Sequence, residues 1–171
     1  HHVGAKREDP ASDGHLAAIV EVAAIAGRGL AVTAAADGTA RIWDLAPAPL
    51  HARVHVDPQG VLALAVEADG STFSCVGPGG KVLVCDAATG KERSTLVVDG
   101  SPLRAACFSP SRRILAVQRR DRQVVIWDLE TGKPLRTLSR ERPTEGPLVF
   151  SPDGEYLALP FFEDALELWD P

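Results

Sequence analysis

The sequence predicts an all-β fold built from four consecutive copies of a four-stranded antiparallel unit. Three observations support this prediction. Trp-Asp pairs recur at a fixed spacing, tight-turn residues recur in register with them, and the segments between the turns are short and apolar. The chain has 171 residues, of which 45% are hydrophobic and 24% charged, so it has a globular composition and can bury a sizeable core.

The repeat is defined by its Trp-Asp pairs. These are Trp43-Asp44, Trp127-Asp128 and Trp169-Asp170. The last two tryptophans lie 42 positions apart, whereas the first two lie 84 apart, which is twice that distance. Cys85-Asp86 stands at the midpoint and is read as a degenerate copy. The sequence therefore contains four units of one period with no insertion, a pattern that chance does not explain.

Each unit contains short apolar runs separated by turns. The first strands are expected over 61–67, 103–109 and 148–151, and the second strands over 30–34, 72–76, 114–118 and 156–159. Tight hairpins follow at Asp37-Gly38, Gly79-Gly80, Asp121-Arg122 and Glu163-Asp164. The third strands, such as 82–85 and 124–127, are apolar on both faces, and more polar outer strands are expected at 50–56, 92–98 and 134–138.

A strand that is apolar on both faces needs a neighbouring layer on each side. A β-propeller supplies these layers by stacking its blades around an axis, and the 42-residue period falls within the ~40–45 residues of known blades. Helical spacing is absent, which makes a helical solenoid the weaker alternative. The sequence thus favours a propeller with four blades in this chain.

Over residues 14–171 the sequence resembles the WD-repeat family of β-propellers. In that family, a His before the inner strand, a Ser or Thr on the second strand, an Asp on the hairpin and a Trp on the third strand form a buried hydrogen-bonded tetrad. The first unit matches this pattern with Gly14-His15, Thr33, Asp37 and Trp43. The resemblance therefore implies a structural tetrad in blade one.

The other units depart from the family pattern. Unit two has Asp57, Cys75, Gly79 and Cys85 at the four positions, unit three has Asp99, Val117, Asp121 and Trp127, and unit four has Glu141, Leu159, Glu163 and Trp169. The prediction of the fold therefore rests on the period and on the Trp-Asp column more than on the tetrad.

The period divides the chain into one propeller domain, with blades near 14–56, 57–98, 99–140 and 141–171. Residues 1–13 are read as a tag remnant, a linker or a poor closing strand, because they combine charges with a proline and lack apolar alternation. One face of blade one and one face of blade four are then left without a cover. We expect either a fragment of a longer propeller or two half-propellers that pair into an eight-blade ring.

Composition limits the classes of partner and site. The net charge of −5 disfavours nucleic-acid and membrane-surface partners. The three cysteines, Cys75, Cys85 and Cys107, are too widely spaced for a zinc site or a disulfide framework, and they favour a reducing compartment such as the cytoplasm. No cofactor and no metal is expected. The excess of arginine over lysine favours a bacterial source.

Two groups of residues are candidates for partner binding. Arg119, Arg120 and Arg122 form a basic hairpin, at the end where the resemblance implies partner binding, and arginine suits carboxylate or phosphate ligands. The alternative is that these arginines pair with the acids of blade four or only solvate the surface. Phe161 and Phe162 lie at the matching hairpin of blade four, where one ring is expected to anchor a partner. The alternative is that one ring packs on the neighbouring blade and the other on a self-association surface.

These features predict a non-catalytic protein–protein interaction scaffold or sensor module that self-associates or belongs to a longer chain. No enzyme is expected, because no Gly-x-Ser-x-Gly motif occurs and the repeat register places no serine beside a histidine. The alternative is a ligand-binding or hydrolytic site in a central channel, which the small apolar residues of the inner strands disfavour. Nucleic-acid binding by the basic hairpin is a third possibility.

Overall fold

A computed structural model describes residues 14–25, 27–46, 50–98, 102–111, 113–139, 146–161 and 165–171. These residues form four antiparallel sheets, and within each sheet the strands lie side by side in chain order. The predicted all-β propeller is confirmed. In the described ranges there is no helix with the length and apolar character needed to cross a membrane.

The strands fall into four blades, each starting with an inner strand. Blade one contains β1 (Ile19–Ile25), β2 (Leu30–Ala35), β3 (Thr39–Asp44) and β4 (Leu50–His55). Blade two contains β5 (Ala63–Val66), β6 (Thr72–Val76), β7 (Lys81–Asp86) and β8 (Glu92–Val97). Blade three contains β9 (Leu103–Phe108), β10 (Ile114–Arg119), β11 (Gln123–Asp128) and β12 (Lys133–Ser139). Blade four contains β13 (Val149–Phe150), β14 (Leu157–Phe161) and β15 (Ala165–Trp169).

The predicted strands match the observed ones except at some ends. The main difference is β5, which starts at Ala63 rather than at residue 61. The backbone N–H of Val61 donates to the carbonyl of Ala35 in blade one at 3.0 Å, so this residue links two blades before the ladder of blade two begins. The first strand of blade four is also shorter than expected and covers only Val149–Phe150.

The core lies between successive blades. Blades one and two enclose Val32, Ile42, Phe73 and Leu83, which are at most 1% exposed. Equivalent apolar clusters fill the space between blades two and three and between blades three and four. The second strands β2, β6 and β10 are buried along nearly their whole length, in agreement with their nearly continuous apolar sequence.

The two end blades each expose apolar side chains. On β15, Trp169 packs against the core shared with blade three, so the alternating residues Leu166 and Leu168 face the other way. Their exposed fractions are 71% and 68%. At the other end of the stack, Val22 of β1 is 64% exposed. Apolar side chains are thus exposed on the outward face of blade four and along β1 of blade one, whereas β2 of blade one is buried on both faces.

The two ends of the blades, seen along the strands, carry different loops. The hairpins between the second and third strands lie at one end, which we call the upper end. The lower end holds the loops that follow the Trp-Asp pairs. There, Asp44, Asp86 and Asp128 each accept the backbone N–H two residues ahead, at 3.0, 3.0 and 2.7 Å. These local bonds give the Asp column a role in shaping the lower loops.

Candidate functional site

The four candidate tetrad residues of blade one are joined by hydrogen bonds. The indole Nε1 of Trp43 donates to Oγ1 of Thr33 at 2.8 Å, and this hydroxyl lies 2.6 Å from Nε2 of His15. The other ring nitrogen of His15 lies 3.0 Å from Oδ2 of Asp37. The strand pairing explains the geometry, since Thr33 and Trp43 lie on adjacent strands of one sheet face while Asp37 sits in the hairpin between them.

A neutral imidazole with its proton on Nδ1 satisfies every donor in this chain. Trp43 then donates to Thr33, Thr33 donates to His15, and His15 donates to Asp37. The Asp37 carboxylate also accepts the backbone N–H of Leu16 at 2.9 Å and the hydroxyl of Thr39 at 2.6 Å. Burial acts to raise the pKa of Asp37, but the donors from Thr39, Leu16 and His15 outweigh it and hold this pKa far below its usual range.

The order Asp, His, hydroxyl is the order of a hydrolase triad, but the access that catalysis needs is missing. The side chain of His15 is 3% exposed and Thr33 is 8% exposed. The hydroxyl of Thr33 is also engaged by Trp43, so it cannot approach a substrate carbonyl. The arrangement instead ties the segment before β1 to the β2–β3 hairpin.

Blade two makes a different connection at the same place. Asp57 stands where the family has histidine, and its Oδ2 accepts the backbone N–H of Gly79 in the β6–β7 hairpin at 2.8 Å. Gly77 must lack a side chain, because a Cβ there would lie 2.2 Å from the Cβ of Asp57. Cys75 and Cys85 fill the Thr and Trp positions as buried thiols, and burial raises the pKa of Cys85 to about 11.

Blades three and four lack the tetrad connection in the part of the chain that the structure describes. Nε1 of Trp127 is buried with no hydrogen-bond partner there, because Val117 occupies the position of the threonine. Nε1 of Trp169 donates to Oε2 of Glu167 on its own strand at 3.1 Å. The remaining positions, Asp99, Glu141 and Glu163, lie outside the described residues.

The candidate basic residues lie at the upper end of blade three. Arg119 ends β10, and its Nη1 donates to Oε1 of Gln123 across the hairpin at 3.2 Å. Arg120 and Arg122 are exposed. Arg122 has a φ of 70°, and blades one and two have Gly38 and Gly80 at this turn position with φ of 79° and 83°. An arginine in this left-handed conformation carries a steric penalty that glycine avoids.

Arg104 was not predicted as a site residue, yet it lies beside this hairpin. In the register of blade three, Leu103 pairs with Arg119, which brings the start of β9 next to the hairpin. Arg104 and Arg120 line a cavity of about 390 Å³. Only cross-strand register brings these two residues together, so their separation in the sequence concealed the pair.

The candidate aromatic pair is only partly described. Phe161 is the last residue of β14, and its backbone pairs with Ala165 across the hairpin of blade four. The side chain of Phe161 and the whole of Phe162 lie outside the described part of the chain.

A second cavity of about 450 Å³ opens at the lower end between the inner strands of blades one to three. Its lining combines apolar groups such as Phe108 with Glu21, Ser74 and Arg113. Glu21 reaches across to blade two, where its Oε2 accepts the backbone N–H of Leu64 at 2.7 Å, and partial burial raises the pKa of this carboxyl. Among the described residues, no three His, Cys, Asp or Glu side chains converge as metal ligands.

Comparison with known proteins agrees with this architecture. The family model described as WD domain, G-beta repeat matches residues 11–44 and 90–128. Nuclear distribution protein PAC1 of Arthroderma benhamiae is 30% identical over 149 residues, which are 81% of this chain and 32% of that protein. Small ribosomal subunit protein RACK1 of Drosophila melanogaster is 29% identical over 142 residues, covering 78% of this chain and 44% of that protein.

The chain thus spans 32% and 44% of the length of these two relatives. The matched segments include His15 to Trp43 of blade one and the Trp127-Asp128 pair of blade three, the residues that define the repeat. Together with the observed stack of antiparallel blades, they show that this chain belongs to the WD-repeat family of β-propellers.

Proposed function

We propose that this chain is a non-catalytic protein-interaction scaffold, with residues 14–171 as one propeller domain that displays partner-binding residues at its upper end. The observation that carries the proposal is a contrast in exposure. The groups in a catalytic order, His15 and Thr33, are sealed inside blade one, whereas Arg120 and Arg122 project from a rigid, cross-strand-paired hairpin. A stiff repeat that presents variable hairpins is suited to recognition.

The relatives support an interaction role. RACK1 is named as a protein of the small ribosomal subunit, so this relative works as a component of a larger assembly. We therefore assign Arg119, Arg120, Arg122, Phe161 and Phe162 to a partner-binding surface, and we assign the tetrad of blade one to the stability of the platform.

We also propose that the two ends of the stack bind a second copy of the chain. Inside the stack, each blade buries one apolar face against the next, so the packing needed is already present three times. The outward face of blade four, with Leu166 and Leu168, and the exposed inner strand of blade one, with Val22, offer apolar surface for the same packing. Two chains related by a two-fold axis would then complete an eight-blade ring.

Site-directed photo-crosslinking in cells of the source organism tests the scaffold proposal. A photoreactive amino acid replaces Asp121 at the upper end of blade three, and a matched variant carries it in place of Glu130 at the lower end of the same blade. Both residues are exposed. We expect discrete protein adducts from the upper position and few from the lower one. Equal labelling at the two positions, or none at either, would contradict the proposed surface.

A further inference from the structure

We infer that the cavity between Arg104 and Arg120 binds carboxylates of an acidic segment in the protein partner. This inference rests on the proposed function and specifies the chemistry of the partner. It adds Arg104, which the repeat pattern did not indicate, to the basic hairpin.

The two guanidinium groups are mounted on a fixed backbone. Arg120 donates its backbone N–H to the carbonyl of Pro102 at 3.0 Å. The adjacent residues Leu103 and Arg119 pair across strands β9 and β10. These bonds lock the hairpin to the start of β9, which carries Arg104. Both arginine side chains are exposed, so they can reach a ligand without breaking the packing of the blade. Two arginines on neighbouring segments that are bonded through their backbones can converge on one anion.

Arg122 adds a third arginine to this hairpin in a left-handed backbone conformation. Its φ of 70° lies in the left-handed region, where the Cβ of an L-residue meets a steric penalty. In blades one and two the same turn position is glycine, and a Cβ there would lie 1.9 Å from the carbonyl oxygen of Asp57 or 2.6 Å from that of Val98. Blade three thus carries a third arginine in the same hairpin, at a position that the backbone favours for glycine.

The class of ligand follows from the chemistry of the donors and from the whole chain. Guanidinium groups pair in a forked geometry with carboxylates and phosphates. The net charge of −5 repels an extended polyanion such as nucleic acid, whereas a short acidic peptide contacts only the local basic surface. The observations therefore favour an acidic protein segment over a nucleic acid.

Fluorescence anisotropy with a labelled oligo-glutamate peptide tests this inference on the full chain. We expect the double variant R104Q/R120Q to bind at least about tenfold more weakly, since it loses two charge-assisted contacts. The matched variant R28Q/R113Q removes the same charge from exposed residues at the lower end and should change the affinity less than about twofold. An R120K variant, which keeps the charge but not the fork, should fall between the two.

The outcomes separate the possibilities. Equal weakening by both double variants would show non-specific charge attraction and would overturn the inference, as would unchanged binding in R104Q/R120Q. Tighter binding of a labelled single-stranded oligonucleotide than of oligo-glutamate would assign the cavity to phosphates instead. If oligo-glutamate fails to bind while position 121 still yields upper-end adducts, only the acidic partner is wrong; if those adducts are also missing, the scaffold proposal fails with it.

Discussion

Trp43 and Trp127 show how the same residue type performs different physical roles in two blades. Both occupy the third strand of their blade at the same repeat position. The indole N–H of Trp43 donates to Thr33, whereas that of Trp127 is buried without a partner among the described residues because the facing residue is Val117. A buried donor that lacks an acceptor destabilises the fold, so the two rings should respond differently to the same substitution.

We expect Trp43→Phe to lower the free energy of unfolding by about 1–2 kcal/mol more than Trp127→Phe does. The first change removes a hydrogen bond and leaves Thr33 with one donor fewer. The second change removes a buried indole N–H that has no hydrogen-bond partner among the described residues. Relief of that unsatisfied donor offsets part of the lost packing. Equilibrium urea unfolding of the two variants and the parent measures the difference. A larger loss in Trp127→Phe would mean that packing, not the tetrad, stabilises these positions.

The Asp37 carboxylate should make stability depend on pH in the acid range. Its pKa is depressed in the folded chain, so its contribution is complete above its unfolded pKa of about 3.9 and is lost as the pH falls through the folded value. We expect Asp37→Asn to be less stable than the parent by about 2 kcal/mol at neutral pH. Urea unfolding at a series of pH values should show this gap narrowing below about pH 4. A gap that stays constant down to pH 3 would contradict the ionised role of Asp37.

Individual residues also mark the limit of what the sequence could predict. His15, Thr33, Asp37 and Trp43 could be named because a family pattern fixes their spacing along the chain, and the structure brings all four together. The pairing of Arg104 with Arg120 could not be named, since two residues sixteen positions apart meet only through the register of β9 and β10. Cross-strand register is a property of the folded sheet and leaves no fixed spacing in the sequence.

At the scale of elements, blades one and two differ in the bonds that connect the hairpin to the segment before the inner strand. The β2–β3 hairpin is held by the tetrad, whereas the β6–β7 hairpin is held by Asp57, which bonds to the backbone of Gly79. Turn residues and apolar runs were sufficient to predict nearly every strand, because both are local signals. The late start of β5 was not predicted, since Val61 bonds to blade one instead, and β13 is also shorter than the sequence predicted.

The close approach of Asp57 to the β6–β7 hairpin of blade two predicts that position 77 must be glycine. An added Cβ would lie 2.2 Å from the Cβ of Asp57, so Gly77→Ala must displace either the hairpin or the Asp57 loop. We expect a loss of about 1–3 kcal/mol in unfolding free energy, as for other overpacked sites. Gly14→Ala, where nothing lies within 4 Å of the added Cβ, is the matched control and should be nearly neutral. Equal unfolding midpoints for the two variants would rule out the tight approach of Asp57.

At the scale of the whole molecule, the same packing mode explains both the core and the proposed assembly. Three interfaces between blades bury continuous apolar clusters, and the outward face of blade four and the inner strand of blade one expose further apolar side chains to solvent. Exposed apolar surface of this kind promotes association. The central claim is that the chain is an open stack of blades that a second copy completes into a ring.

Absolute mass from light scattering on a sizing column, across a concentration series, tests this claim most directly. The chain has a mass of 18.1 kDa, and we expect a stable dimer of twice that mass. Leu166→Glu combined with Leu168→Glu should shift the population to monomer without unfolding the blades, because both side chains are already exposed. A parent chain that remains a well-folded monomer at every concentration would contradict the paired ring.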